Sequence, residues 1–82
     1  MIPLAFASEN SLVRIVEVRA GQGLTRKLAE LGLTQGSTLR VVKSLSPGPV
    51  VIEVVNSSGY TDAWRVMLGF GIAMKIFVEN RG

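Results

Sequence analysis

Arg26 and Lys27 are adjacent cations inside Gly21–Gly36, a stretch that reads GQGLTRKLAELGLTQG. Leu24, Leu28 and Leu31 recur there at i, i+4 and i+7, the spacing of one apolar stripe on a short helix at about 24–31. Arg26, Lys27 and Glu30 fall off that stripe and are expected in water. Two neighbouring cations on a wet face would meet an acidic patch on a partner and speed encounter more than they tighten binding. The plainer role is a solvated face with Lys27 and Glu30 as a weak i, i+3 pair. Gly32 falls where a helix needs a left-handed residue to stop, so Leu33 is expected to turn back onto the last turn. The Leu31-Gly32-Leu33 exit thereby sets how the cationic face is held.

Other chemistry is largely excluded by residue type. The chain has no cysteine and no histidine, which removes disulfides, thiolate or imidazole metal sites, and Ser–His or Cys–His nucleophiles. Glu9, Glu17, Glu30, Glu53, Asp62 and Glu79 are scattered singly, so neither a convergent oxygen cage nor paired acids for catalysis are expected. No enzyme, no metal site and no cofactor is expected. Gly21 and Gly23 before a helix invite comparison with a phosphate-binding turn, but the third glycine and the Gly-Lys-Ser/Thr ending are missing. Glycines that ease a strand-to-helix turn explain them. Met67 and Met74 read as core filler.

Two aromatics are candidates for an interface. Trp64 precedes Arg65 but shares a strand face with Val66 and Leu68, which assigns it to the core. Phe70, between two glycines, has little local scaffold to bury it and is the bolder interface candidate. The Pro47-Gly48-Pro49 tip is rigid and exposed, suited to contact.

The elements that must position these residues are mostly strands. Residues 1–10 read as a strap or edge segment packing Leu4 and Phe6, since Pro3 opposes a helix start. Leu12–Arg19 is a strand whose buried face switches from Val13 and Ile15 to Val16 and Val18, which predicts a bulge or strong coiling. Ser37–Leu45 places Leu39, Val41 and Leu45 on one side. A turn at Ser46–Pro49 leads to Val50–Val55, with Val50, Ile52 and Val54 buried and Glu53 outside. A hairpin loop at Asn56–Gly59 leads to a strand over Tyr60–Leu68. Gly69–Met74 predicts a single helical or 3₁₀ turn, and Lys75–Glu79 a closing strand with Ile76 and Val78 inward. The fold class is mainly β: a small barrel of about five strands with one short helix between the first and second, a single domain over residues 1–82.

Composition bounds the function. An apolar fraction of 48% in 82 residues is ample for one core. The net charge of +3 is dispersed, with no basic tail. The longest uncharged runs fall far below the roughly 18–20 apolar residues needed to span a bilayer, and no basic leader precedes the first apolar segment. A cytoplasmic, soluble protein is expected.

Three segments in order resemble one family. They are GQGLTRKLAELGLTQG at 21–36, with paired basic residues and an L-G-L-x-x-G exit; LRVVKSLSPGPVVIEV at 39–54; and LGFGIAMKIFV at 68–78, with an L-G-x-x-x-A-x-K-I-x-V pattern. The chain is similar in these to the FeoA family, the small ferrous iron transport protein A. That resemblance implies an SH3-like β-barrel that assists a FeoB-type membrane ferrous iron transporter, with its cytosolic GTPase domain as the partner and the membrane reached only through the transporter. It implies that iron is handled by the partner rather than held here. Phe70 stands where the family often carries a basic residue, and the hairpin Val55–Trp64 is longer than usual. The candidate partner-binding residues are Arg26, Lys27, Leu31, Gly32, Leu33, Pro47, Gly48, Arg65 and Phe70.

Two other classes compete with this adaptor. A regulatory module like the C-terminal SH3-like domain of iron- or manganese-dependent repressors looks similar, but no helix-turn-helix precedes the barrel sequence here. Nucleic-acid binding is not expected, because Tyr60 and Phe77 are not framed by a basic groove.

Overall fold

Strands form where β-branched and polar residues alternate, and the computed structural model, which describes residues 1–45, 47–55 and 64–81, contains six of them in that range. They are β1 (Ile2–Pro3), β2 (Leu12–Val18), β3 (Thr38–Ser44), β4 (Val50–Val54), β5 (Trp64–Leu68) and β6 (Ile76–Asn80). A 3₁₀ turn at Leu4–Phe6 follows β1. Helix α1 (Gln22–Glu30) joins β2 to β3, and the one-turn helix α2 (Phe70–Ala73) joins β5 to β6. All pairings are antiparallel, in the order β1-β6-β2-β3-β4-β5. The N-terminal strap contributes a two-residue edge strand, which brings the expected five strands to six. The expected hairpin loop at 56–59, the first residues of the strand expected from Tyr60, and Ser46 lie outside the described residues.

This sheet curls on itself. Its two ends, β1 and β5, are followed by the 3₁₀ turn and by α2, and the rings of Phe6 and Phe70 meet edge to face with centroids 6.3 Å apart. In a flat sheet at about 4.8 Å per strand those ends would lie about 24 Å apart. A radius of gyration of 11.4 Å, close to the roughly 12 Å of a compact chain this long, agrees. The result is a small barrel around one apolar core that includes Leu4, Ile15, Leu39, Ile52 and Ile76, with no buried polar side chain among the described residues.

Two bulges steer the strands. Pairing of β2 with β6 shifts between Ile15 and Glu17, where the buried face was expected to switch. A second shift, between Val41 and Lys43 against β4, leaves no trace in the apolar pattern. It sets Lys43 outward opposite Val51 and leaves Leu45 51% exposed, whereas simple alternation puts Leu45 with Leu39 and Val41.

Helix α1 closes one end of the barrel with Leu28, buried, and Leu24, partly buried. The third position of the expected stripe, Leu31, is exposed. The helix stops at Glu30, and Gly32 reverses the chain at φ +83°. The Gly32 N–H donates to the Ala29 carbonyl at 2.9 Å and the Leu33 N–H to the Leu28 carbonyl at 2.8 Å, the paired bonds of a Schellman stop. Leu33 is thereby carried into the core and fills the place assigned to Leu31.

Candidate functional site

The expected contact residues divide between the two ends of the barrel. Thr38 begins β3 beside the loop that leaves α1, and Ser44 ends it beside the 3₁₀ turn, where its hydroxyl donates to the Ala5 carbonyl at 3.2 Å. Seven residues of strand separate these ends by about 20 Å. Arg26, Lys27, Leu31, Gly32 and Leu33 belong to the α1 end, and Arg65, second residue of β5, lies near it. Pro47, Gly48 and Phe70 belong to the other end. One small site cannot contain both groups.

At the α1 end the lip is built from the last described rung between β4 and β5. Trp64 pairs with Val54 and shares the inward face of β5 with Val66 and Leu68, as its strand face predicts, yet it is 42% exposed. Its indole lies over Gly32. A Cβ added there would stand 3.3 Å from Trp64 Cζ2 and 3.4 Å from Val54 Cγ1. The assignment of Trp64 to the core is therefore corrected: the face was right and the depth was not.

A groove of about 750 Å³ runs from Gly32 and Trp64 past Val55 and Thr38 to Arg81. Leu31 and Val55 are exposed beside it. Its floor is held by the loop after α1. The Ser37 hydroxyl donates to the Gly32 carbonyl at 2.7 Å and accepts from the Thr34 N–H at 3.2 Å. Gly36 N–H donates to the Ile15 carbonyl, and Ile15 N–H to the Ser37 carbonyl, which ties this loop to β2.

Among the described residues the charge around the groove is positive. Arg81 is the only charged residue among those that line it, and its guanidinium donates to Thr38 Oγ1 at 3.4 Å. Arg26 and Lys27 are exposed on α1, and no ion pair joins Lys27 to Glu30 among the described residues. Arg65 is committed to Glu53 at 3.5 Å, an exposed pair of small energetic worth. An apolar lip with a cationic rim suits an acidic protein surface carrying an apolar anchor. Among the described residues no group of His, Cys, Asp or Glu could hold a metal ion.

The opposite end is organised differently. Gly48 sits so close to Leu45 that a Cβ there would collide with the Leu45 carbonyl oxygen, so glycine is required to close the turn. Phe70 is half-buried against the core, and Phe6, expected inside, is the ring left 54% exposed. The scaffold missing from the sequence around Phe70 is supplied by the N-terminal strap. Met67, expected as filler, is 70% exposed on the outer face of β5. Ser37 and Arg81 are the site residues that the pattern missed, since neither is singled out by a motif, and Trp64, weighed as an interface candidate, is assigned by its strand face to the core; only the register brings the three together.

A six-stranded antiparallel sheet curled round one core, with a helix between its second and third strands, defines a small SH3-like barrel. The FeoA domain model matches residues 2–80. The chain is 38% identical, over 80 residues, to a protein of Methanocaldococcus jannaschii provisionally named Fe(2+) transport protein A, covering 98% of this chain and 88% of that one. It therefore belongs to the FeoA family of ferrous iron transport. The crystal structure of an iron uptake regulatory protein, FeoA, superposes with a TM-score of 0.76 at 30% identity, over 94% of this chain and 93% of that one. Stenotrophomonas maltophilia FeoA complexed with zinc, described as a prokaryotic SH3 domain protein, gives 0.72 at 24% identity over 96% and 91%. A manganese-dependent transcriptional repressor gives 0.81 at 21% identity, over 96% of this chain but 36% of that one, which is a likeness of fold.

Proposed function

We propose that this chain is a non-enzymatic accessory of ferrous iron transport that docks through its α1 end on the cytosolic GTPase region of a FeoB-type transporter and modulates Fe(II) uptake. The observation that carries this reading is Trp64, exposed over Gly32 at the lip of a groove whose only charged lining residue, among the described residues, is a cation. Large aromatics with arginine neighbours are the residues that anchor protein interfaces, and the exposed Arg26 and Lys27 supply the attraction that orients an acidic partner. Membership of the FeoA family, and the iron-transport names of its relatives, support the choice of partner. Iron itself passes through the transporter, and the accessory works in the cytoplasm.

Calorimetric titration of the chain into the purified GTPase region, with and without nucleotide and Fe²⁺, tests this. Saturable binding is expected, weakened about tenfold by the double reversal R26E/K27E (about 1.4 kcal/mol). Absence of binding in every nucleotide and iron state would overturn the proposal.

A further inference from the structure

The groove has two chemically different ends, and the strand register sets the distance between them. At one end the Trp64 indole lies over Gly32 beside Val54. At the other end stands Arg81, whose guanidinium reaches Thr38 Oγ1. Trp64 begins β5 and pairs with Val54 of β4, while Thr38 begins β3 and its carbonyl accepts from the Val55 N–H at 3.2 Å. Two strand spacings of about 4.8 Å thus separate the indole from the cation, about 10 Å in all. The cation is held in place and left without a counter-charge. Its backbone N–H donates to the Leu12 carbonyl at 3.0 Å. Among the described residues Glu79 is taken by Arg14, Glu53 by Arg65 and Glu17 by Arg19, and no ion pair reaches Arg81. Thr38 occupies one terminal nitrogen, and the planar guanidinium has further N–H donors for a pair of oxygens.

We infer that the groove takes one extended segment of its protein partner, with an aliphatic side chain on Trp64 and Gly32 and a carboxylate on Arg81. This rests on the docking proposed above for the choice of site and adds the chemistry that the partner must present there. An extended chain advances about 3.3 Å per residue, so a carboxylate about three positions from the aliphatic residue spans the groove. Charge selects the acid, because an arginine donates and never accepts. The lining selects the aliphatic anchor, since Leu12, Val54, Val55 and Trp64 supply its apolar surface. A nucleic-acid strand fits less well: its backbone asks for a basic track, and the described lining has one cation. Arg81 is then the residue that sets specificity, and Arg26 and Lys27 set the rate of encounter.

Trp64 is the chain's single tryptophan, so its emission reports occupancy of the groove. The acetylated and amidated peptides Leu-Ser-Ser-Glu and Glu-Ser-Ser-Leu, which cover both chain directions, are titrated into the full chain. A saturable change in emission, with Kd of about 1 mM, is expected for one of them. Replacing its Glu by Gln, or Arg81→Gln in the protein, should each weaken binding about tenfold, and the two together should add less than about twofold more. Moving the acid next to the leucine should weaken binding as much as the Gln replacement does. Arg81→Lys should fall between the parent and Arg81→Gln, because the charge stays and the planar fork is lost. Circular dichroism confirms that each variant is folded. No response to either peptide, equal affinity for the Glu and Gln forms, indifference to spacing, or a response to oligothymidylate but to neither peptide would each overturn the proposal. Binding of the GTPase region that Arg81→Gln leaves unchanged would overturn this subsite while keeping the docking proposal. Coupling of the peptide's Glu to Arg81, with no binding of the GTPase region, would keep the subsite and overturn the docking partner.

Discussion

Gly32 shows how one residue serves both stability and the site. Its position before Leu33 is legible in the sequence, because a left-handed stop is needed where the apolar stripe ends. What lies over it is not legible, since Trp64 arrives from a strand more than thirty positions away and is placed only by its pairing with Val54. Gly32→Ala should lower unfolding stability by about 1–2 kcal/mol in urea titration, through φ +83° and the tight approach to the indole. The emission of Trp64, the chain's single tryptophan, should shift in the same variant. Met67→Ala should stay within about 0.5 kcal/mol of the parent, because that side chain is mostly in water.

Elements were legible to the extent that apolar periodicity reports burial. The short helix is read from Leu24 and Leu28, the β2 bulge from the change of buried face at Val16, and the one-turn helix before β6 from its glycines. Leu31 misleads because the period says nothing about where the helix stops, and the Schellman reversal hands its place to Leu33. The β3 bulge is silent for a related reason: Val42 is apolar, so an extra residue there does not disturb the pattern. Truncation should separate the two leucines. Leu28→Ala is expected to cost about 2–4 kcal/mol and Leu31→Ala less than about 1 kcal/mol by the same denaturation assay. Equal costs would mean that Leu31 shares the core.

At the scale of the whole molecule, curling the sheet creates two ends and an outer face, and the candidate residues are distributed among them. Barrel class and family were legible, because three short segments in order carry the elements that close the barrel. The division of Arg26, Lys27 and Gly32 from Pro47, Gly48 and Phe70 was not, because spacing along the chain does not tell which strand ends meet. Exposed charge reversals at Arg26 and Lys27 should leave stability within about 0.5 kcal/mol of the parent, so any change in partner binding reports on the surface itself. The most direct test is to titrate the isotopically labelled chain with the unlabelled GTPase region and follow its amide and indole resonances. Perturbations should gather at Arg26, Lys27, Leu31 to Thr38, Val55, Arg81 and the Trp64 indole. Perturbations gathered instead at Phe6, Gly48 and Phe70, with the Trp64 indole unmoved, would contradict docking through the α1 end.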